Sequence, residues 1–236
     1  MLVKTRGIVL NYLKYRETSI IARVYTESLG LQTYIVNSIR KKGPGSRIAL
    51  FQPLTLLEMV VYTTGSGGIT RISEYKCAHP FATLLYDIRK SSIALFLSEI
   101  IAASVKEEEE NSPLFNFLYR NIVALDQLEA NFENFHLGFL LQFAHYLGFG
   151  ARKASEITEQ VAFSAPSQGS TQASVLHFQM FEHFLTDLME NPATAVIPNG
   201  KVRKELLNIL IRFYQLHVDR LGEIKSLNVL SDVLSD

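Results

Sequence analysis

Residues 20–36 read IIARVYTESLGLQTYIV, and this stretch decides the fold of the first third of the chain. Two runs rich in β-branched and aromatic residues, at 20–25 and 33–36, flank the segment Glu27-Ser28-Leu29-Gly30. Such runs favour β-strands, and a polar segment that ends in glycine favours a tight reversal between them. The stretch is therefore predicted to form two strands joined by a short turn.

Three further runs of the same kind, at 8–10, 54–62 and 69–72, lie on either side of this pair. Glycine-rich breaks separate them, at Lys42-Gly43-Pro44-Gly45-Ser46 and Gly65-Ser66-Gly67-Gly68. Neither a helix nor a strand tolerates such segments, so they predict turns. Five strands within roughly eighty residues are typical of a small closed barrel.

The pattern changes to a helical period after His79-Pro80, because proline suits a first helical turn and the residue before it avoids the helical conformation. Ser112 is predicted to cap a second helix ahead of Pro113, and Gly148 to end a third. Apolar residues at spacings of three and four predict helices at about 84–105, 112–128, 135–147, 174–189 and 201–221, with a short tail helix near 227–233.

The residues at about 150–173 are small and polar, and they predict an irregular loop with at most short strand pieces near 161–163. The predicted fold class is therefore α+β. A five-stranded barrel over residues 1–78 is followed by an all-α domain over 79–236, which contains this irregular insertion.

Formal charge is divided unevenly along the chain, although its 23 basic and 23 acidic side chains balance. Residues 1–80 contain eleven basic and four acidic side chains, a net of +7, whereas 81–150 carry −5 and 151–236 carry −2. Such asymmetry indicates that the barrel, and not the helices, meets a polyanion. The alternative is a chance fluctuation along a neutral chain.

Motifs of the common enzyme and metal sites are missing from the sequence. Gly65-Ser66-Gly67-Gly68 precedes a predicted strand and not a helix, which argues against a phosphate-binding loop. The six histidines lack the spacing of zinc proteases, and the single cysteine, Cys77, excludes an intramolecular disulfide and a cysteine-cluster zinc site. We therefore expect a non-enzymatic, cytoplasmic protein without catalytic residues, metal, cofactor or membrane span.

The strongest local feature is a basic loop between two predicted barrel strands, which contains Arg40, Lys41, Lys42 and Arg47. Cationic side chains neutralise phosphates and release counterions, which gives salt-sensitive affinity without sequence preference. Aromatic residues are interleaved through the same third of the chain: Tyr12, Tyr15, Tyr25, Tyr34 and Phe51. They either stack unpaired bases on the barrel surface or fill the barrel core.

Four blocks of sequence, in this order and spacing, resemble the bacterial RecO family of recombination-mediator proteins. They are Tyr15-Arg16-Glu17-Thr18-Ser19 with Tyr25-Thr26-Glu27 and Gly30, then Arg40-Lys41-Lys42 with Leu50-Phe51-Gln52-Pro53-Leu54, then Ser112-Pro113-Leu114-Phe115, and finally Tyr146-Leu147-Gly148-Phe149. The resemblance covers residues 2–150 well and the remainder loosely.

This resemblance implies an N-terminal oligonucleotide-binding (OB-fold) barrel and a helical C-terminal domain. It implies binding to single- and double-stranded DNA, annealing of complementary strands, and loading of the RecA recombinase onto strands coated by single-stranded-DNA-binding protein. The implied partners are that protein and the ring-forming RecR, without nucleotide hydrolysis, at a cytoplasmic, nucleoid-associated location. On this hypothesis the loop residues Arg40, Lys41, Lys42 and Arg47 hold the DNA backbone, helped by Arg6, Lys14, Arg16 and Arg23.

The chain departs from the family pattern in two places. Many members carry four zinc-binding cysteines after the Leu-Gly-Phe segment, whereas residues 150–169 contain none. Some members also carry an Arg-Arg-Phe-Glu-like stretch that binds the acidic tail of single-stranded-DNA-binding protein. His136-Leu137-Gly138-Phe139-Leu140 stands there instead, and Arg120 is a candidate replacement for the charge.

Two other functions explain parts of the pattern. An RNA-binding or ribosome-associated barrel protein accounts for the basic barrel equally well. A helical protein-interaction adaptor, in which the barrel is structural, predicts a tight protein complex and no salt-dependent binding to nucleic acid.

Overall fold

The computed structural model describes residues 1–37, 39, 47–63, 68–164, 178–192, 194–219 and 221–235. The chain divides into two compact units, Met1–Gln127 and Leu128–Asp236. The first unit contains the barrel and two helices, and the second contains helices. The predicted domain boundary at residue 78 follows the last barrel strand and stays a prediction.

Five strands form a closed barrel in the spatial order β1-β2-β3-β5-β4. They are β1 (Leu2–Tyr15), β2 (Ser19–Thr26), β3 (Gly30–Val36), β4 (Leu56–Tyr62) and β5 (Ile69–Cys77). Neighbouring strands are antiparallel except β3 and β5, which are parallel. The predicted five-stranded barrel followed by helices is confirmed.

Alternate residues of each strand fill the barrel, as the two-residue period of a strand requires. The core includes Ala22 and Val24 of β2, Tyr34 of β3 and Met59 of β4, all buried. A 3-10 helix, Ile48–Phe51, precedes β4 and places Phe51 in this core, where its ring meets the edge of Tyr75 at 5.2 Å between centroids. The interior is therefore a packed core of side chains from every strand.

Two helices cover part of the outside of the barrel: α1 (Ile88–Ser104) and α2 (Ser112–Gln127). The Ser98 hydroxyl of α1 donates a hydrogen bond to the carbonyl of Leu10 in β1. On α2, the ring of Phe115 lies against buried Tyr25 of β2, with 6.2 Å between centroids. The part of the outer sheet surface that α1 and α2 cover is therefore buried and includes Leu10 and Tyr25.

The cap of α2 differs from the prediction. The side-chain oxygen of Asn111 accepts from the backbone N–H of Leu114 at 3.1 Å, and Ser112 is already helical. The cap therefore lies one residue earlier than Ser112, because an Asn side chain reaches the third following N–H as well as Ser does.

A buried polar cluster ties the segment after the barrel to both helices. The carboxylate of Asp126 accepts from the backbone N–H groups of Ala82, Thr83 and Leu84 at 2.8–3.0 Å. Buried Lys90 of α1 donates to the Thr83 hydroxyl at 2.6 Å and to the Asp126 carbonyl at 2.9 Å. Because each buried charge here has a hydrogen-bonding partner, the cluster holds this connection in place.

The second unit is helical in its described part. Its helices are α3 (Phe135–Tyr146), α4 (Ala154–Ser164), α5 (Glu182–Glu190), α6 (Gly200–His217) and α7 (Ser226–Val233). Buried Tyr214 of α6 donates its hydroxyl to the carbonyl of Leu140 on α3 at 2.7 Å. Gly148 has a φ of +87° directly after α3, which confirms its predicted role in ending that helix.

The expectation of an irregular loop with strand pieces near 161–163 is wrong, since α4 covers these residues. Ile157 and Val161, one turn apart, are buried, and this spacing is helical and not strand-like. Phe163, in contrast, is 81% exposed and does not contribute to this packing. Residues 165–177, which include the predicted start of the next helix at 174, lie outside the described residues.

Candidate nucleic-acid interface

Three of the predicted cations lie at one end of the barrel. Tyr15 at the end of β1 pairs with Ser19 at the start of β2, and the turn between them presents exposed Arg16, whose guanidinium lies 5.2 Å from the Tyr15 ring centroid. Exposed Lys14 precedes it on β1. β3 ends at the same place, since Val36 pairs with Ile20.

The basic loop begins at this same end. Just after β3, the Ser19 hydroxyl donates to the Asn37 side chain at 3.1 Å. The predicted DNA-binding residues Arg40, Lys41 and Lys42 lie outside the described residues, and the chain is described again from Arg47.

Exposed Arg47 stacks over Tyr75, with 5.8 Å between guanidinium and ring centroid. β5 runs parallel to β3, with Arg71 beside Ile35, so Tyr75 lies further towards the end where β3 stops. We call Lys14, Arg16 and Arg47 the cationic end.

Arg6 lies at the other end of the barrel, beside the β2–β3 turn. Its guanidinium forms an ion pair with Glu27 at 2.6 Å and lies 5.2 Å from the Phe115 ring and 4.9 Å from the Tyr119 ring of α2. The hydrogen bond between Arg6 and Glu27 raises the pKa of Arg6 and lowers the pKa of Glu27. Arg6 is therefore engaged in joining the barrel to α2, and it does not converge with the cationic end.

Arg23 lies on the outer face of the barrel, halfway along β2. Its neighbours across the sheet are Asn11 of β1 and Thr33 of β3. Two pairs further towards the cationic end, Ile21 and Ile35 are neighbours, and Ile35 pairs with Arg71 of β5. Arg71 contributes to the positive charge of the barrel, but its place beside β3 depends on the parallel pairing of β5 and is not visible in the sequence.

Most of the interleaved aromatic residues are structural. Tyr25, Tyr34 and Phe51 are fully buried, and Tyr12 is partly buried and packs against the barrel core. Burial raises the pKa of Tyr25 to about 12, with a contribution from the Glu107 carboxylate, and burial alone raises the pKa of Tyr34. These three buried rings cannot stack nucleic-acid bases. Tyr34 and Phe51 fill the barrel core, as one of the two alternatives predicted, whereas Tyr25 is buried on the outside of the barrel against α2.

Arg120, the candidate partner-binding residue, is exposed on α2. The stretch from His136 to Leu140, which stands where some family members bind an acidic tail, is buried in α3. At Gly138 a Cβ atom would come within 2.9 Å of the Pro192 side chain, so the backbone of α3 is closely covered there.

The second unit contains a cavity of about 270 Å³ beside the start of α6 and the end of α7. Its lining combines basic and apolar side chains with one carboxylate, and it includes Lys201, Arg203, Lys204, Leu207, Leu230 and Asp232. Arg203 donates to the Asn134 side chain at 2.9 Å and to the Leu234 carbonyl at 2.8 Å. Burial, together with the charge of Arg203, lowers the pKa of His136 in the wall to about 3, so this imidazole is neutral at pH 7.

Within the described ranges, no three His, Cys, Asp or Glu side chains lie close enough to share a metal ion. Across the same part of the chain, no helix has the length and apolar character needed to cross a bilayer.

The strand order and the 3-10 helix before β4 define a class: a closed five-stranded barrel of the OB-fold type, here followed by helices. The family model described as Recombination protein O N terminal matches residues 1–81, and that described as Recombination protein O C terminal matches residues 85–228. The chain therefore belongs to the RecO family.

Curated relatives agree over the whole chain. A protein named DNA repair protein RecO from Flavobacterium psychrophilum is 35% identical over 242 residues, covering all of both chains. A protein of the same name from Phocaeicola vulgatus is 33% identical over 253 residues, again covering all of both chains. These matches support a role in DNA repair.

Proposed function

We propose that this protein is a non-enzymatic recombination mediator that binds single- and double-stranded DNA through the cationic end of its barrel. The observation that carries this proposal is the convergence of Lys14, Arg16 and Arg47 where the basic loop begins. Cations gathered on one surface neutralise several neighbouring phosphates at once, and the released counterions favour binding. Arg40, Lys41 and Lys42 add three charges to the same segment of chain.

Annealing follows from the same chemistry. Two complementary strands repel one another through their phosphates, and a surface that neutralises both lowers this repulsion. Binding through the backbone leaves the base edges available for pairing. We propose that this protein anneals strands in this way and assists recombinase loading together with a RecR-like mediator.

We place the contact with single-stranded-DNA-binding protein at the cavity of the second unit. An acidic peptide matches the basic side chains of this lining, and apolar side chains of such a peptide match Leu207 and Leu230. Exposed Lys201 and Lys204 belong to the cavity lining together with buried His136. Arg120, the candidate predicted from the sequence, is exposed on α2 and stays the alternative site for this contact.

The test is fluorescence anisotropy of a labelled single-stranded oligonucleotide at several salt concentrations. The variant with Arg40, Lys41, Lys42 and Arg47 changed to Ala should bind more weakly, and its salt slope should fall by up to about four phosphates. The control Lys4→Ala removes a lysine near the start of β1, away from the cationic end, and should bind as the unchanged protein does. Unchanged affinity in the quadruple variant would remove the loop from the proposal.

Competition between single-stranded DNA and structured RNA separates the mediator from an RNA-binding barrel protein. Unlabelled structured RNA and unlabelled DNA are compared as competitors of the labelled DNA. If the RNA displaces the labelled DNA at the lower concentration, the RNA hypothesis is favoured. Absence of salt-dependent binding to either would favour the adaptor hypothesis.

A further inference from the structure

One wall of the cavity in the second unit is formed by the end of α7 and the residues after it. These residues lie across the start of α6. Arg203 of α6 donates from its guanidinium to the Leu234 carbonyl at 2.8 Å. At Gly200 a Cβ atom would lie 2.8 Å from the carbonyl oxygen of Ser235 and 3.0 Å from that of Leu234. We call residues 232–235 the closing segment.

The closing segment has the same chemistry as the peptide ligand of the proposed function. Asp232 is exposed and supplies the carboxylate of the cavity lining, to which Lys201 and Lys204 also belong. Leu234 lines the same cavity, and its side chain is buried. One acidic and one apolar side chain of this chain are therefore at the cavity before any partner binds.

The contact between the closing segment and Arg203 is of a kind that a peptide carboxylate can replace. Arg203 donates to the Asn134 side-chain oxygen and to the Leu234 carbonyl, and both of these acceptors are neutral. Burial lowers the pKa of Arg203, and the Glu133 carboxylate acts in the opposite direction. A hydrogen bond to a charged acceptor is roughly twice as strong as one to a neutral acceptor. A carboxylate is therefore the better partner for this partly buried cation.

We propose that the closing segment is an autoinhibitory contact, which occupies part of the acidic-peptide site until an acidic peptide of the partner displaces it from the start of α6. This inference rests on the proposed function, because it takes the cavity as the site of that contact. A ligand that binds only the open form loses apparent affinity in proportion to the fraction of closed molecules. A segment that is closed about nine-tenths of the time lowers the apparent affinity about tenfold.

The contact also makes the cavity selective. A peptide gains from the basic side chains of the lining only if it brings carboxylates to them. Bringing carboxylates in while Asp232 stays in the lining places like charges together, which opposes binding. Displacement of the closing segment removes Asp232 and frees Arg203 in the same step. A neutral peptide obtains neither gain, so it leaves the closing segment in place.

The experiment measures, by fluorescence anisotropy on the full chain, the affinity for a labelled synthetic peptide that alternates aspartate with leucine. Asp232→Asn removes the charge that opposes the peptide and should tighten binding about threefold. Gly200→Ala adds the Cβ that collides with the closing segment and should also tighten binding, while alanine suits the helix. The matched control is Glu223→Gln, which neutralises an exposed carboxylate outside the cavity lining and should leave the affinity unchanged.

Hydrogen exchange gives an independent readout of displacement. The backbone N–H of Leu234 donates to the Leu230 carbonyl at 3.0 Å, so its exchange rate reports whether the closing segment is in place. Addition of the peptide should speed exchange over residues 232–235, which are released, and slow it over residues 201–204, which are covered. Slower exchange over both ranges would mean that the peptide binds beside a closed segment, and it would overturn the inference.

The outcomes separate this inference from the proposed function. Lys201→Ala combined with Lys204→Ala should weaken peptide binding, as the placement of the contact at this cavity requires. If that variant loses affinity while Asp232→Asn and Gly200→Ala bind as the unchanged protein does, the inference is overturned and the placement stands. If neither the unchanged protein nor any variant binds the peptide, the inference and the placement fail together, and DNA binding by the cationic end is unaffected.

Discussion

The two ends of the barrel use the same kind of side chain for different purposes. At the end near α2, Arg6 is held by Glu27 and by two aromatic rings, so its charge stabilises the fold. At the cationic end, Arg16 and Arg47 are exposed and each lies over one tyrosine ring. An arginine in a basic barrel is therefore a candidate for DNA binding only after its carboxylate partners have been located.

Gly30 provides the strongest test of the end near α2. It has a φ of +62°, and a Cβ there would collide with the backbone of Glu107 and Glu109. Gly30→Ala should therefore lower the free energy of unfolding by about 3 kcal/mol, because the left-handed conformation and the collision add together. Urea denaturation measures this loss.

The matched control for that variant is Gly68→Ala, at a barrel glycine with a φ of +104° and open space where the Cβ would be. It should destabilise the protein less than Gly30→Ala does. Equal losses of the free energy of unfolding in the two variants would mean that the collision with the backbone of Glu107 and Glu109 adds nothing to the effect of Gly30→Ala.

Arg6→Ala should lower the free energy of unfolding by about 1 kcal/mol, since a partly exposed ion pair and a cation–π contact are each worth a fraction of that. Its affinity for DNA should stay close to that of the unchanged protein. Thermal denaturation and anisotropy together measure the two effects. A large loss of DNA affinity at unchanged stability would place Arg6 in the interface after all.

The Arg6–Glu27 pair also predicts a pH dependence. The hydrogen bond from Arg6 lowers the pKa of Glu27 in the folded state, so folding is favoured when the carboxylate is charged. This stabilisation is present above the pKa of the unfolded chain and is lost as the pH falls through the lower, folded-state pKa. Denaturation midpoints measured from pH 7 to about 3 should show this loss.

Glu27→Gln and Arg6→Ala should each flatten that profile, and the double variant should flatten it no further. Additive effects would show that the two side chains act independently.

The smallest effect on stability is expected at the cationic end. Lys14→Ala combined with Arg16→Ala should change the free energy of unfolding by less than about 0.5 kcal/mol, because both side chains are exposed. The same variant should reduce the salt slope of DNA binding by about two phosphates. A stability loss as large as that of Arg6→Ala would erase the difference between the two ends.

The local pattern of apolar residues predicted most of the strands and helices, but it did not predict what packs against them. The runs at 20–25 and 33–36 became β2 and β3, because a two-residue period describes a strand with one side buried. The small and polar composition of residues 150–173 misled the same reasoning. There α4 buries Ile157 and Val161, whose spacing is a helical signal that the polar composition concealed.

The candidate site also has features that the sequence predicts and features that only the structure shows. The charge of the first eighty residues and the basic loop are visible in the sequence, and so is the resemblance to the RecO family. The burial of Tyr25, Tyr34 and Phe51 is not visible, because a strand has two sides and a shift of one residue exchanges them.

The sequence by itself determined the barrel, the helices that follow it and the excess of positive charge in the first third. Only the tertiary structure decided which cations are engaged by carboxylates and which aromatic side chains are buried. The reason is distance along the chain. Strand and helix periods are set by neighbouring residues, whereas Arg6 meets Glu27 across 21 positions and Asn116 across 110. Such partners are brought together only when the strands pair and the helices pack.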